Sequence, residues 1–309
     1  MSALDLIDAD VLNDEPPPTR DVDDEGPAPR EEGEVLWALV GGRYAPRRLI
    51  GRGGMATVYE AVDLSTGAVV ALKRPHVLRD ADPHLGEVMT AEARAMARVA
   101  HPNIARVLDA GIDPQGPWFV MEKLVGESLH TRIARCGRLT LPVTAAVMLP
   151  LLAGVDAVHE SGLAHGDIKP SNVILARRGE RTVPTLIDFG VATPADAADE
   201  RAAEVLGTPM YMAPERFVQR ARPDVASDVW SLGAVLYTCL AGAVPFHGAR
   251  VADVVVEVLT RAPRALPGIA PALRAVIDHA MQRAPEARYP SARAMSVALR
   301  EALRESTRG

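Results

Sequence analysis

The octapeptide His165-Gly166-Asp167-Ile168-Lys169-Pro170-Ser171-Asn172 constrains this chain more than any other stretch. It puts a carboxylate, an ammonium and a carboxamide on one short turn, with Lys169 two residues and Asn172 five residues after Asp167. Asp167 is placed to accept a proton from a hydroxyl that attacks a phosphorus atom. Lys169 can hold the negative charge of the group in transit, and Asn172 can reach a metal ion from the same loop. Asp167 already offers a base, so a neutral His165 reads as a structural hydrogen-bonding residue. The flanking sequence supports the turn. Leu141 to Ser161 is a long apolar helix pattern in which Pro150, lacking an N–H, should produce a kink. Gly162 caps that helix, and the runs Val173–Leu175 and Thr185–Ile187 beyond the loop read as a short strand pair.

With 309 residues, 48% of them apolar, the chain can bury a large core. No run of about eighteen uninterrupted apolar residues marks a membrane span, and Met1 to Asp10 lacks the basic start of a secretory signal. Cys136 and Cys239 lie in apolar helical patterns without metal-ligand spacing, as expected of two buried thiols in a reducing cytoplasm. The net charge of -6 is uneven, because residues 1–34 hold twelve acids against two arginines and leave the remainder near +4. That acidic, Pro-rich stretch cannot bury enough apolar surface to order itself, so residues 1–40 are expected to form a disordered tail. Its acidic character suits a docking site for a regulatory partner. No basic stripe with interleaved aromatics appears, which argues against nucleic acid. Only three of the 34 basic residues are lysines, at 73, 123 and 169. Where Arg has displaced Lys almost everywhere, a retained ammonium marks a place where a compact point charge and a planar fork are not equivalent.

After an apolar patch at Val35–Val40, strand signals begin. Tyr44–Ile50 and Thr57–Leu64 flank Gly51-Arg52-Gly53-Gly54-Met55-Ala56, and Ala68–Arg74 forms a third run that carries Lys73. A glycine-rich connection between strands can mark a hairpin or let backbone amides approach phosphate. Pro83–Ala100 has the apolar period of a helix, and Ile104–Ile112 and Pro117–Lys123 read as two further strands. Asp188-Phe189-Gly190 follows a strand sixteen residues after Asn172, and Asp188 is an oxygen donor suited to magnesium between phosphates. Val191–Leu206 is Ala- and Asp-rich and offers one hydroxyl, Thr193. Gly207-Thr208-Pro209-Met210-Tyr211-Met212-Ala213-Pro214-Glu215 closes that segment. Asp224–Cys239 with a Gly242 stop, Ala249–Thr260, Pro271–Gln282 and Ser291–Leu303 then read as helices, with no internal repeat.

Taken in order, these motifs resemble the eukaryotic-type serine/threonine protein kinases, in particular their bacterial branch, over about Tyr44 to Leu303. The loop departs from the family's H-R-D pattern at one letter, Gly166, and the third glycine of the glycine-rich loop is Ala56. The resemblance implies an α+β, bilobal protein-kinase-like fold. It predicts a domain over about 41–305, with an N-lobe (about 41–122) of five antiparallel strands plus one helix and a mainly helical C-lobe (about 125–305). It also implies ATP and Mg2+ as cofactors and protein Ser/Thr hydroxyls as acceptors. The nucleotide would lie against Ile50, Gly51, Arg52, Gly53, Gly54, Met55, Ala56, Val58 and Ala71, beside a hinge containing Met121, Glu122 and Leu124. Lys73 would hold the α/β-phosphates and pair with Glu92. Asp167 would be the base, Lys169 would meet the γ-phosphate, and Asn172 and Asp188 would bind magnesium. By the same resemblance Thr208 bonds near Asp167, Glu215 pairs with Arg288, and Asp228 braces the loop. The missing arginine is the residue that docks a phosphorylated activation loop, so its loss predicts activity independent of such phosphorylation. Two other readings use the same residues: a small-molecule phosphotransferase, suggested by the His-Gly-Asp start, and a catalytically weak ATP-binding scaffold.

Overall fold

The β-branched and aromatic runs between residues 44 and 122 form five antiparallel strands. These are β1 (Tyr44–Arg52), β2 (Ala56–Asp63), β3 (Val69–Pro75), β4 (Val107–Asp113) and β5 (Gly116–Glu122), in the order β1-β2-β3-β5-β4. The computed structural model describes residues 12, 38–52, 56–76, 90, 93–188, 209–218 and 222–306. Register decides which side chains share a face. Val58 lies opposite Lys73, and Lys73 opposite Phe119; Glu60 lies opposite Ala71, and Ala71 opposite Met121. Paired residues, and residues two apart on a strand, point to the same side. Val58, Lys73 and Phe119 therefore form one row, and Glu60, Ala71 and Met121 the next. The opposite face is sealed by Val40, Tyr44, Ala61, Val70, Leu72, Trp118 and Val120. The apolar patch before the first strand thus docks through Val40, which is 2% exposed.

Half of the expected helix Pro83–Ala100, residues 83–89, 91 and 92, lies outside the described residues, and Glu92 with it. Of its described residues, 90 and 93–96 are helical, whereas 97–100 form a turn and irregular chain, so the helix ends earlier than expected. Ala93 packs with Ala110 and Phe119 beneath the sheet.

Beyond the hinge, β6 (Gly126–Ser128), β7 (Val173–Arg178) and β8 (Arg181–Leu186) form a small second sheet on the helical lobe. The strand pair expected around the loop is thus a three-stranded sheet. The helices are α1 (Leu129–Cys136), α2 (Leu141–Glu160), α3 (Pro214–Val218), α4 (Val225–Ala241), α5 (Val251–Thr260), α6 (Pro271–Ala280) and α7 (Ala292–Ser306). α2 runs through Pro150 and ends before Gly162, which takes φ +78°. By length and composition α2 could cross a membrane, with a mean hydropathy of 1.8, yet 67% of that apolar window is buried inside the fold. Its Val147, Leu151, Leu152, Val155 and Val158 are fully buried in the larger core, beside Trp230, Leu232 and Leu236 of α4. Each such side chain stabilises by about 1.5–3 kcal/mol relative to exposure, which fixes the platform carrying the loop. Leu12 belongs to this core and is 3% exposed. At Leu12 and at the buried Val40, which bridges Tyr44, the expectation of a disordered tail over residues 1–40 does not describe the chain; residues 1–11 and 13–37 lie outside the described residues.

Candidate active site

The octapeptide enters from α2 and leaves through a short 3-10 turn, Pro170–Asn172, into β7. Within it the three polar groups converge. Lys169 Nζ lies 2.8 Å from Asp167 Oδ2, and Asn172 Nδ2 donates to Asp167 O at 2.9 Å and to Asp167 Oδ2 at 2.8 Å. Those two bonds orient the carboxamide so that Asn172 Oδ1 remains for another partner.

The loop hangs on Asp228. A capping box starts α4, with Ser227 N donating to Asp224 Oδ1 at 2.7 Å and Asp224 N donating to Ser227 Oγ at 2.9 Å. Asp228, in the first turn, is fully buried. Its Oδ2 accepts from His165 N at 2.7 Å and pairs with His159 Nε2 at 2.9 Å, while its Oδ1 accepts from Gly166 N at 2.8 Å. A buried carboxylate is stable only when its lone pairs are used, and here the catalytic-loop backbone uses them. His165 is 1% exposed; its Nδ1 accepts from Asp167 N at 3.2 Å and its Nε2 faces Ile187 O at 3.2 Å. Burial pulls its pKa below the ordinary value, so the neutral, structural histidine expected from sequence fits the geometry.

Gly166 has φ +76°, and a Cβ there would stand 2.5 Å from Pro223 Cγ. A side chain at 166 meets both a left-handed backbone and a proline ring. The cation nearby comes from α3, where Arg216 Nη1 donates to Gly166 O at 3.0 Å. Burial lowers the pKa of Arg216, while Asp228, Asp167, Glu215 and Asp224 hold it up.

On the facing lobe, Lys73 Nζ lies 3.0 Å from Asp188 Oδ1. Asp188 takes φ +56°, the only non-glycine positive φ among the described residues. A cavity behind them is lined by Ala93, Met96, Ala105, Val107, Phe119 and Met121. Lys73 therefore meets Asp188, whereas its expected partner Glu92 lies outside the described residues. So do Gly53, Gly54 and Met55, Phe189 and Gly190, Thr193 and Thr208. Ile50, Gly51 and Arg52 end β1, and Ala56 and Val58 begin β2. Ala71 and Met121 sit side by side. At the hinge, Glu122 N is bonded to Arg106 O at 2.9 Å, whereas the Leu124 N–H meets no acceptor among the described residues.

Glu215 and Arg288 form the expected pair, with two 2.7 Å bonds. The other three N–H groups of Arg288, which is buried, reach Gln282 O, Ala226 O and Arg283 O. Sequence reasoning missed Arg216 and His159. The first directly follows the Ala-Pro-Glu triplet, and the second closes α2; neither position has a local signal distinguishing it from a surface charge.

Residues 44–298 match the protein kinase domain family. Over 284 residues the chain is 36% identical to the serine/threonine-protein kinase Pkn1 of Myxococcus xanthus, covering 87% of this chain and 40% of that protein. It is 34% identical to PknE of Mycobacterium tuberculosis, covering 85% of this chain and 46% of that one. For PknH of the same species the figures are 34%, 85% and 42%. The chain thus spans less than half the length of these curated relatives. A solved structure of Rad53 residues 1–466 with AMP-PNP shares the fold with a TM-score of 0.68 and 24% identity, covering 83% of this chain and 64% of that one. The bilobal arrangement, the ordered motifs and the match over residues 44–298 together establish that the chain belongs to the protein kinase family.

Proposed function

We propose that the chain transfers the γ-phosphate of ATP to Ser or Thr hydroxyls of proteins. One observation carries this reading: Asp167, Lys169 and Asn172 converge within hydrogen-bonding distance on a platform fixed by Asp228, in a chain whose other lobe presents Lys73 against Asp188. In this reading Asp167 accepts the proton of the acceptor hydroxyl, and Lys169 steadies both that carboxylate and the transferred group. Lys73 holds the α/β-phosphates. Glu92 would hold Lys73 in turn, and Thr208 would bond near Asp167. Most of the acceleration comes from alignment and charge, with no covalent intermediate.

Magnesium fits the residues present. Asn172 Oδ1 is left over by the bonds of Nδ2, and Asp188 keeps Oδ2 while Oδ1 meets Lys73. A magnesium ion shared with phosphates needs only one or two protein oxygens, so the lack of a larger acidic cluster among the described residues is compatible with it. When bound, the ion would neutralise charge on the phosphates.

Independence from activation-loop phosphorylation rests on Gly166. No cationic side chain extends from that position, and the guanidinium beside it is held by the loop's own carbonyl. A reducing, cytoplasmic setting rests on Cys136 and Cys239, which are free thiols; Cys239 is buried as expected, whereas Cys136 is exposed. The acidic first 34 residues remain our proposed docking site for a regulatory partner.

The test is incubation with labelled ATP, magnesium and a generic protein, followed by phosphosite mapping. Label on Ser or Thr is the expected result. Label confined to small molecules would favour the phosphotransferase reading instead, and nucleotide binding without transfer would favour the scaffold.

A further inference from the structure

Of the chain's three lysines, Lys73 and Lys169 face the proposed phosphate path, and Lys123 does not. Its surroundings give it a separate task. Lys123 sits in the hinge immediately after β5, and its Nζ pairs with Glu60 Oε2 on β2. Glu60 shares the cleft face of the sheet with Ala71 and Met121, and two residues before it stands Val58. Its side chain is 13% exposed, whereas that of Arg48, which reaches the same Oε2 at 2.9 Å, is 66% exposed. The contact with Lys123 is therefore the more sheltered of the two. On the other side of the hinge, Glu122 accepts from Arg178 of β7 at 2.9 Å and from Arg106 N at 3.0 Å. Two successive hinge residues thus reach in opposite directions, Lys123 to the strand roofing the cleft and Glu122 to the small sheet of the helical lobe.

The choice of lysine follows from the acceptor. Both cations use Oε2, a single oxygen already shared with Arg48. A compact ammonium on a flexible stem can reach an oxygen that a guanidinium already occupies. Those two cations hold the Glu60 carboxyl down to about 2, so it stays ionised throughout the neutral range. Without Lys123, only the exposed Arg48 would offset that charge on the cleft face of the roof strand, and β2 would lose its tie to the hinge.

We propose that Lys123 and Glu60 form a latch between hinge and roof that sets how tightly the nucleotide is held, with Lys123 acting as a positioning residue. The inference rests on the nucleotide-binding part of the reading above. It predicts a split: nucleotide affinity changes and the transfer step does not.

The experiment uses the full chain and the fluorescent nucleotide mant-ADP, with ATP KM and kcat measured in parallel. The variants are Lys123→Met, Glu60→Gln and the double variant. Because partly exposed ion pairs are modest, Lys123→Met is expected to raise the mant-ADP Kd and the ATP KM about two- to fivefold, with kcat unchanged. The loss should shrink at high salt. Adding Glu60→Gln to Lys123→Met should bring no further loss. An unchanged Kd in Lys123→Met, or independent additive losses in the double variant, would overturn the latch. Since the titration requires no phosphoryl transfer, the latch stands or falls on Kd even if the acceptor assignment fails.

Discussion

At position 166 the backbone, not the side chain, explains the residue. The left-handed φ of +76° and the adjacent Pro223 ring leave glycine as the residue that fits without strain. Gly166→Arg, which would restore the common H-R-D triplet, is therefore expected to lower stability by about 1–2 kcal/mol from the backbone alone. A urea titration checks this, and an unchanged midpoint would refute it. Arg216 acts on the same carbonyl from α3. Arg216→Met should lower kcat while leaving the ATP KM near wild type, with Arg216→Lys intermediate; steady-state kinetics would show the split. At the opposite wall, Lys73→Arg replaces a point charge with a fork beside Asp188. It is expected to lower kcat/KM for ATP at least about tenfold. Asp167, Lys169 and Asn172 were legible because they share one turn, and their bonds are local. Arg216 was not, since fifty residues separate it from Gly166 and it is one among many arginines.

Elements supply the rigidity that the residues need. α4 starts on a capping box and places Asp228 under the loop, while Glu215 at the start of α3 is tied to the buried Arg288 just before α7. Arg288→Met leaves Glu215 without its partner and empties five satisfied N–H positions, a loss expected to cost about 3–5 kcal/mol. Chemical unfolding of the variant measures it, and a change below about 1 kcal/mol would contradict the role of the pair. His165 adds a pH dependence. Its folded pKa is lowered by burial, so the unfolded chain binds the proton more readily. Its contribution to stability is complete above the unfolded value of about 6.5 and is lost as the pH falls below it. A melting temperature that fell between pH 7 and pH 5.5 less steeply in His165→Asn than in wild type would bear this out. Strands and amphipathic helices were legible because apolar spacing records which face is buried. Pro150 shows the limit of local rules: it removes one N–H, yet the buried side chains around it keep α2 helical on both sides. β6 escaped notice because three residues carry too little alternation to register.

The whole molecule joins a sheet that carries Lys73 to a helical lobe that carries Asp167, with residues 122–123 bonded to both sides. The two-lobe plan was legible from the order of motifs. The latch was not, because Glu60 and Lys123 are 63 residues apart and meet only once the sheet has its register. Regulation belongs to this scale as well. With glycine at 166, phosphatase treatment is expected to leave activity intact; loss of activity with Thr193 as the demodified site would refute that. The central claim is that the Asp167 loop transfers phosphate from ATP to protein hydroxyls. Its most direct test compares wild type with Asp167→Asn, using labelled ATP, magnesium and a generic protein, with circular dichroism to confirm an unchanged fold. The account predicts label on Ser and Thr for wild type and at least a thousandfold less, on the order of 10³, for the folded variant. Equal labelling by the two proteins would contradict it.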